Sequence, residues 1–101
     1  MARFLVTYYT GDMPSDPASV ADARDAFRRW AGKIGAALAD IGEPVRSATT
    51  VSGNGVTDGA ARQACMGWSV IEALDGDAAV RMMRDHPFIG RGGVLQISEP
   101  V

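Results

Sequence analysis

Apolar, aromatic and β-branched residues fill positions 4–9 (Phe4, Leu5, Val6, Thr7, Tyr8, Tyr9) and give way to the breaker cluster Gly11, Asp12, Met13 and Pro14, which predicts a first strand and a loop. Ser15, Asp16 or Ser19 can cap a helix, because each offers a side-chain oxygen to orphan N–H groups. Val20, Ala23, Phe27, Trp30, Ile34, Leu38 and Ile41 follow at spacings of three and four, so the pattern predicts one long helix with a continuous apolar stripe, stopped by Gly42 and Pro44. Residues 45–52 alternate β-branched and polar side chains, and Gly53, Asn54 and Gly55 offer positive φ for a tight hairpin. A second strand is therefore expected at 45–52, folding back into a short arm at Val56 and Thr57 that ends at Asp58 and Gly59.

Residues 60–65 read as irregular or as a helical turn, and 66–74 are the most strand-like run of the chain. Asp75 or Asp77 can cap a second helix carrying Ala79, Val80, Met82 and Met83, and the restriction that Pro87 places on His86 ends it. A last strand is expected at 94–98. The order β-α-β-β-α-β belongs to the α+β class, with two helices on one face of a four-stranded antiparallel sheet in the ferredoxin-like manner. Yet both alternating sets of the first strand are largely apolar, and the third strand has Trp68 and Val70 as well as Ile71 and Ala73. Two helices cover one face only. The expected second cover is another copy of the chain, giving an isologous homodimer whose sheets face each other as a barrel.

Bulk composition narrows the picture. A chain of 101 residues suits a single domain over 1–101, and a net charge of -2 leaves no basic excess for nucleic acid. No apolar run approaches the roughly 20 residues of a membrane helix, the start of the chain reads as a strand rather than a signal segment, and the lone Cys65 has no internal partner. A reducing, cytoplasmic setting is expected, with no membrane and no nucleic acid as partner.

His86 is the one histidine and the natural candidate for acid/base chemistry near neutral pH. The competing structural reading is that its imidazole bonds the last carbonyls of the second helix and complements the dipole there. Asp58 can orient or charge such a histidine, and Asp-Gly is also a turn signal. Tyr8, Tyr9 and Trp68 offer flat surfaces with polar tips, suited to a small-molecule pocket or to a core, and Thr7, Ser69 and Gln96 add polar atoms. Arg46, Arg62 and Arg91 can each grip a carboxylate or remain solvated. One histidine and one cysteine cannot build a zinc site within a subunit. The glycines around Asn54 precede a strand rather than a helix, so no phosphate-cradling fingerprint is present. Neither metal nor cofactor is expected, and nucleophilic catalysis has no supporting motif.

The strand ending in tyrosine and glycine, the long helix, Ala48 to Val51, the block Val56-Thr57-Asp58-Gly59, the strand Gly67-Trp68-Ser69-Val70-Ile71-Glu72 and the His86-Pro87 turn occur in one order across the whole chain. Together they resemble the YCII-related, or DGPF, family of small dimeric α+β barrels. The resemblance implies a homodimer that binds a small organic ligand, aromatic or lactone-like, with cofactor-independent acid/base chemistry as one reading. A non-catalytic ligand-binding or regulatory dimerisation module is the alternative. Two departures limit what carries over. The DGPF subgroup continues after Asp-Gly with proline and phenylalanine, where this chain has Ala60, Ala61 and Arg62. The family's histidine near the start of the first helix is missing here, so its pairing with an aspartate does not transfer.

Overall fold

The protein is described by a computed structural model covering residues 1–60 and 63–101. Strand β1 (Ala2–Tyr9) leads to helix α1 (Pro17–Ile34), a 3-10 turn at Gly35–Ala37, β2 (Leu38–Pro44), a hairpin of β3 (Thr49–Ser52) and β4 (Gly55–Asp58), β5 (Gly67–Ala73), α2 (Gly76–Met83), a second 3-10 turn (Pro87–Arg91) and β6 (Val94–Ser98). Four strands form one sheet in the order β2-β5-β1-β6, with every neighbouring pair antiparallel. This α+β arrangement is compatible with a ferredoxin-like fold in which the β3–β4 hairpin is an insertion forming a separate two-stranded sheet.

The helix starts follow from local chemistry. Asp16 caps α1 by accepting from Ser19 N–H at 2.9 Å, with Pro17 in the first turn, and Asp75 caps α2 by accepting from Ala78 N–H at 2.8 Å. In β1 the pleat turns Phe4, Val6 and Tyr8 towards the helices, where they meet Ile71 and Ala73 of β5, Trp30 of α1, Ala79 and Met83 of α2, and Phe88. The opposite face carries Leu5, Thr7 and Tyr9 beside Val70, Trp68 and Val94, as the strand registers require. Among the described residues, no helix is long and apolar enough to cross a membrane.

Two expectations are corrected. Helix α1 ends at Ile34, not at Ile41, because Gly35 takes φ 57° and returns its N–H to the Ala31 carbonyl. Leu38 and Ile41 belong to β2, whose Leu38 pairs with Ile71. The second strand of the main sheet is therefore residues 38–44, and the expected strand at 45–52 supplies only the hairpin arm β3. The hairpin itself turns where expected, with Ser52 opposite Gly55. Strand β2 is poor in β-branched residues and takes its conformation from pairing with β5, a case of tertiary context overriding propensity. Its register shifts on both sides of Asp40. At Gly42, φ is 73° and a Cβ would collide with the Trp68 carbonyl, so only glycine fits this bulge.

Candidate functional site

The site begins where α2 stops. His86 precedes proline and takes an extended conformation, φ -62° and ψ 130°, which the clash with the proline ring enforces. Its imidazole does not bond the last carbonyls of α2. Nδ1 instead accepts from Phe88 N–H at 3.0 Å and so caps the following 3-10 turn. Nδ1 must therefore be unprotonated, and in the neutral ring the proton sits on Nε2.

The surroundings favour that neutral state. His86 is 7% exposed, and its ring centroid lies 4.3 Å from that of Trp30, 5.1 Å from Tyr8 and 5.8 Å from Phe27. Burial, with the positive charge of Arg91 adding to it, lowers the pKa from 6.5 to about 4. Among the described residues the Nε2 atom is buried with no hydrogen-bond partner, as is Trp30 Nε1. An unpaired buried donor is costly, of order 1–3 kcal/mol, so the His86 donor is chemically unspent.

Opposite the histidine, Tyr8 donates its hydroxyl proton to Ser69 Oγ at 2.8 Å, and Ser69 donates in turn to the Ile41 carbonyl at 2.8 Å. Ile41 sits beside the Gly42 bulge of β2, where the disturbed ladder leaves a carbonyl for a side chain to use. Burial raises the Tyr8 pKa, opposed in part by the bond to Ser69, which keeps the phenol protonated.

A cavity of about 260 Å³ lies against these groups, walled by Tyr8, Phe27, Phe88 and His86 on one side and by residues 41–44 and 66–69 on the other, with Met13 and Arg91 completing it. Phe88 is fixed by two glycines, since a Cβ at Gly11 or Gly93 would overlap its ring. Arg91 is held by Nε donation to the Asp12 carbonyl at 3.2 Å, and its guanidinium lies 5.5 Å from the Phe88 ring centre. A second hollow of about 420 Å³ shares Met13, Pro44 and Met66 with the first and is further lined by Val45, Arg46, Ala64 and Cys65. It is the larger of the two but holds neither the histidine nor the Tyr8–Ser69 chain. The free Cys65 thiol there donates to the Gly67 carbonyl at 3.0 Å.

Of the residues singled out from sequence, Tyr8, Trp68, Ser69, His86 and Arg91 line the first cavity, Trp68 beside the Gly42 bulge although its pleat position is on the opposite face, and Arg46 lines the second. Tyr9 does not, because the pleat sends it to the opposite face of the sheet and puts Tyr8 in its place. Asp58 is exposed at the end of β4 and is absent from the cavity wall, whose one carboxylate among the described residues is Glu43. Arg62 lies outside the described residues. Sequence reasoning missed Phe27 as a wall residue, along with Phe88, Met13 and Glu43. The signal for Phe88 was the pair of glycines that its ring requires; for Glu43 there was none. Among the described residues no cluster of three or more His, Cys, Asp or Glu side chains could hold a metal ion. Neither a protein-family model nor a curated protein matches the chain.

Proposed function

We propose that the protein binds a small planar organic molecule, aromatic or lactone-like, in the cavity beside His86, and does so as a homodimer of the YCII-related type. The observation that carries this reading is a histidine, nine-tenths buried, whose own buried Nε2 atom has no hydrogen-bond partner among the described residues, in the wall of a largely apolar cavity. Cavities of this kind bury an apolar ligand and orient it through a few polar atoms. The volume of about 260 Å³ matches a molecule of one or two rings. His86 acts here as a hydrogen-bond donor. To serve as a base at Nε2 it would need its proton on Nδ1, where Phe88 N–H already points, so acid/base catalysis at His86 is the second reading.

A thermal-shift screen of small aromatic and lactone compounds tests the proposal, comparing the wild type with His86→Asn, which can still cap the 3-10 turn but lacks the Nε2 donor. Binders are expected to lose about 10-fold in affinity in the variant, the scale of one buried hydrogen bond. Equal binding by both proteins would place the histidine outside recognition. Turnover of any such compound, lost in His86→Asn, would promote the catalytic reading.

Support for the dimer comes from the sheet face that carries Leu5, Tyr9, Trp68, Val70 and Val94, which neither helix covers. Sedimentation at micromolar concentration is expected to give a dimer that Leu5→Lys disrupts. A folded wild-type monomer would remove the barrel.

A further inference from the structure

Among the described residues, Arg91 is the one basic side chain in the wall of the His86 cavity. Its Nε is spent on the Asp12 carbonyl, its backbone carbonyl accepts from Asp12 N–H at 2.9 Å, and its guanidinium rests over Phe88. The fork is thus held from several sides while the terminal nitrogens make no hydrogen bond among the described residues. The ion pairs of the described residues are Arg3 with Glu72 and Lys33 with Asp85, so Arg91 is not neutralised by a neighbouring carboxylate. Glu43 lines the same cavity but is exposed and does not pair with it. An arginine anchored in this way has already lost much of its side-chain freedom and presents a planar fork that matches a carboxylate.

Building on the ligand-binding reading above, we propose that the cavity selects small aromatic carboxylates, the carboxylate held by Arg91 and the ring packed among Tyr8, Phe27 and Phe88. Arg91 and His86 line the same cavity, and the positive charge of Arg91 adds to burial in lowering the histidine's pKa. A ligand cation would meet this charge unfavourably, and a neutral aromatic would leave it unused.

The test is calorimetric titration of the full-length protein with two matched pairs, benzoate against benzamide and 2-naphthoate against 2-naphthamide, at low and high salt. Each acid is expected to bind about 10-fold or more tightly than its amide at low salt, as a charge-assisted hydrogen bond allows, with the preference shrinking as salt rises. In Arg91→Gln the preference should fall to within about 3-fold of unity while amide affinity holds, the unchanged amide showing that the cavity is intact. Arg91→Lys should keep part of the preference. Amides binding as well as acids in the wild type would overturn the carboxylate class and leave the cavity reading standing. Binding of neither would overturn both. A preference that survives intact in Arg91→Gln would overturn the assignment to Arg91.

Discussion

The two faces of the main sheet are drawn from alternate residues of the same strands, yet they differ in almost every respect. On the helix side Val6 and Ile71 are 0% exposed, while across the pleat Leu5 is 43% and Val94 55% exposed. The helix side holds the core, the buried Tyr8–Ser69 pair and His86. The other side carries Leu5, Tyr9, Trp68, Val70 and Val94 together with the Arg3–Glu72 ion pair, and neither helix packs on it. Hydrophobicity alone therefore did not decide which face became the core; the placement of α1 and α2 did. Burial on the helix side is also what gives the histidine its chemistry, since the same imidazole in water would titrate near 6.5.

The comparison breaks most readily at Trp30, which is 4% exposed and packs on the His86 ring. Trp30→Ala should destabilise the fold by about 3–5 kcal/mol in denaturant titrations. Leu5→Ala on the open face should cost less than about 1 kcal/mol at concentrations where the chain is monomeric. Equal losses would mean that the two faces are equally buried in solution.

A smaller effect follows from pH. The folded pKa of His86 lies near 4, below the 6.5 of the unfolded chain, so the unfolded state takes up the proton first as pH falls. The contribution is fully present above pH 6.5 and is lost progressively as pH drops towards 4. The slope from this one group is at most about 1.4 kcal/mol per pH unit. His86→Phe should flatten the stability profile in that window; an unchanged profile would mean that the histidine titrates alike in both states.

A modest effect is expected of Tyr8→Phe, which removes the hydroxyl bonded to Ser69 and should cost about 1 kcal/mol. Ser69 keeps its own bond to the Ile41 carbonyl, so the loss should not spread to β2. A cost near zero would mean that the hydroxyl is equally well satisfied by solvent.

Much of this arrangement is legible in the sequence. The first and last strands, the β5 run, the Asp16 cap and the stop at His86-Pro87 all follow from local chemistry that the fold retains. The boundary of α1 was not legible, because Ile34, Leu38 and Ile41 continue the helical spacing although the chain has already turned at Gly35. What decides the matter is the pairing of Leu38 with Ile71, a contact between residues far apart in the chain. Which of Tyr8 and Tyr9 faces the helices was not legible for a related reason. Where both alternating sets of a strand are apolar, the period of two fixes that they face opposite ways but not which way each faces. His86 was legible as the residue to watch, but its state was not, since that depends on Phe27, Trp30 and Phe88 arriving from other elements.

The neutral, Nε2-protonated histidine is the point on which the site turns, and long-range nitrogen–proton NMR of the His86 ring reads it directly. At pH 7 the spectrum should show Nε2 carrying the proton and Nδ1 as the acceptor of Phe88 N–H, unchanged on acidification until the pH approaches about 4. A proton on Nδ1, or a titration midpoint near 6.5, would contradict it.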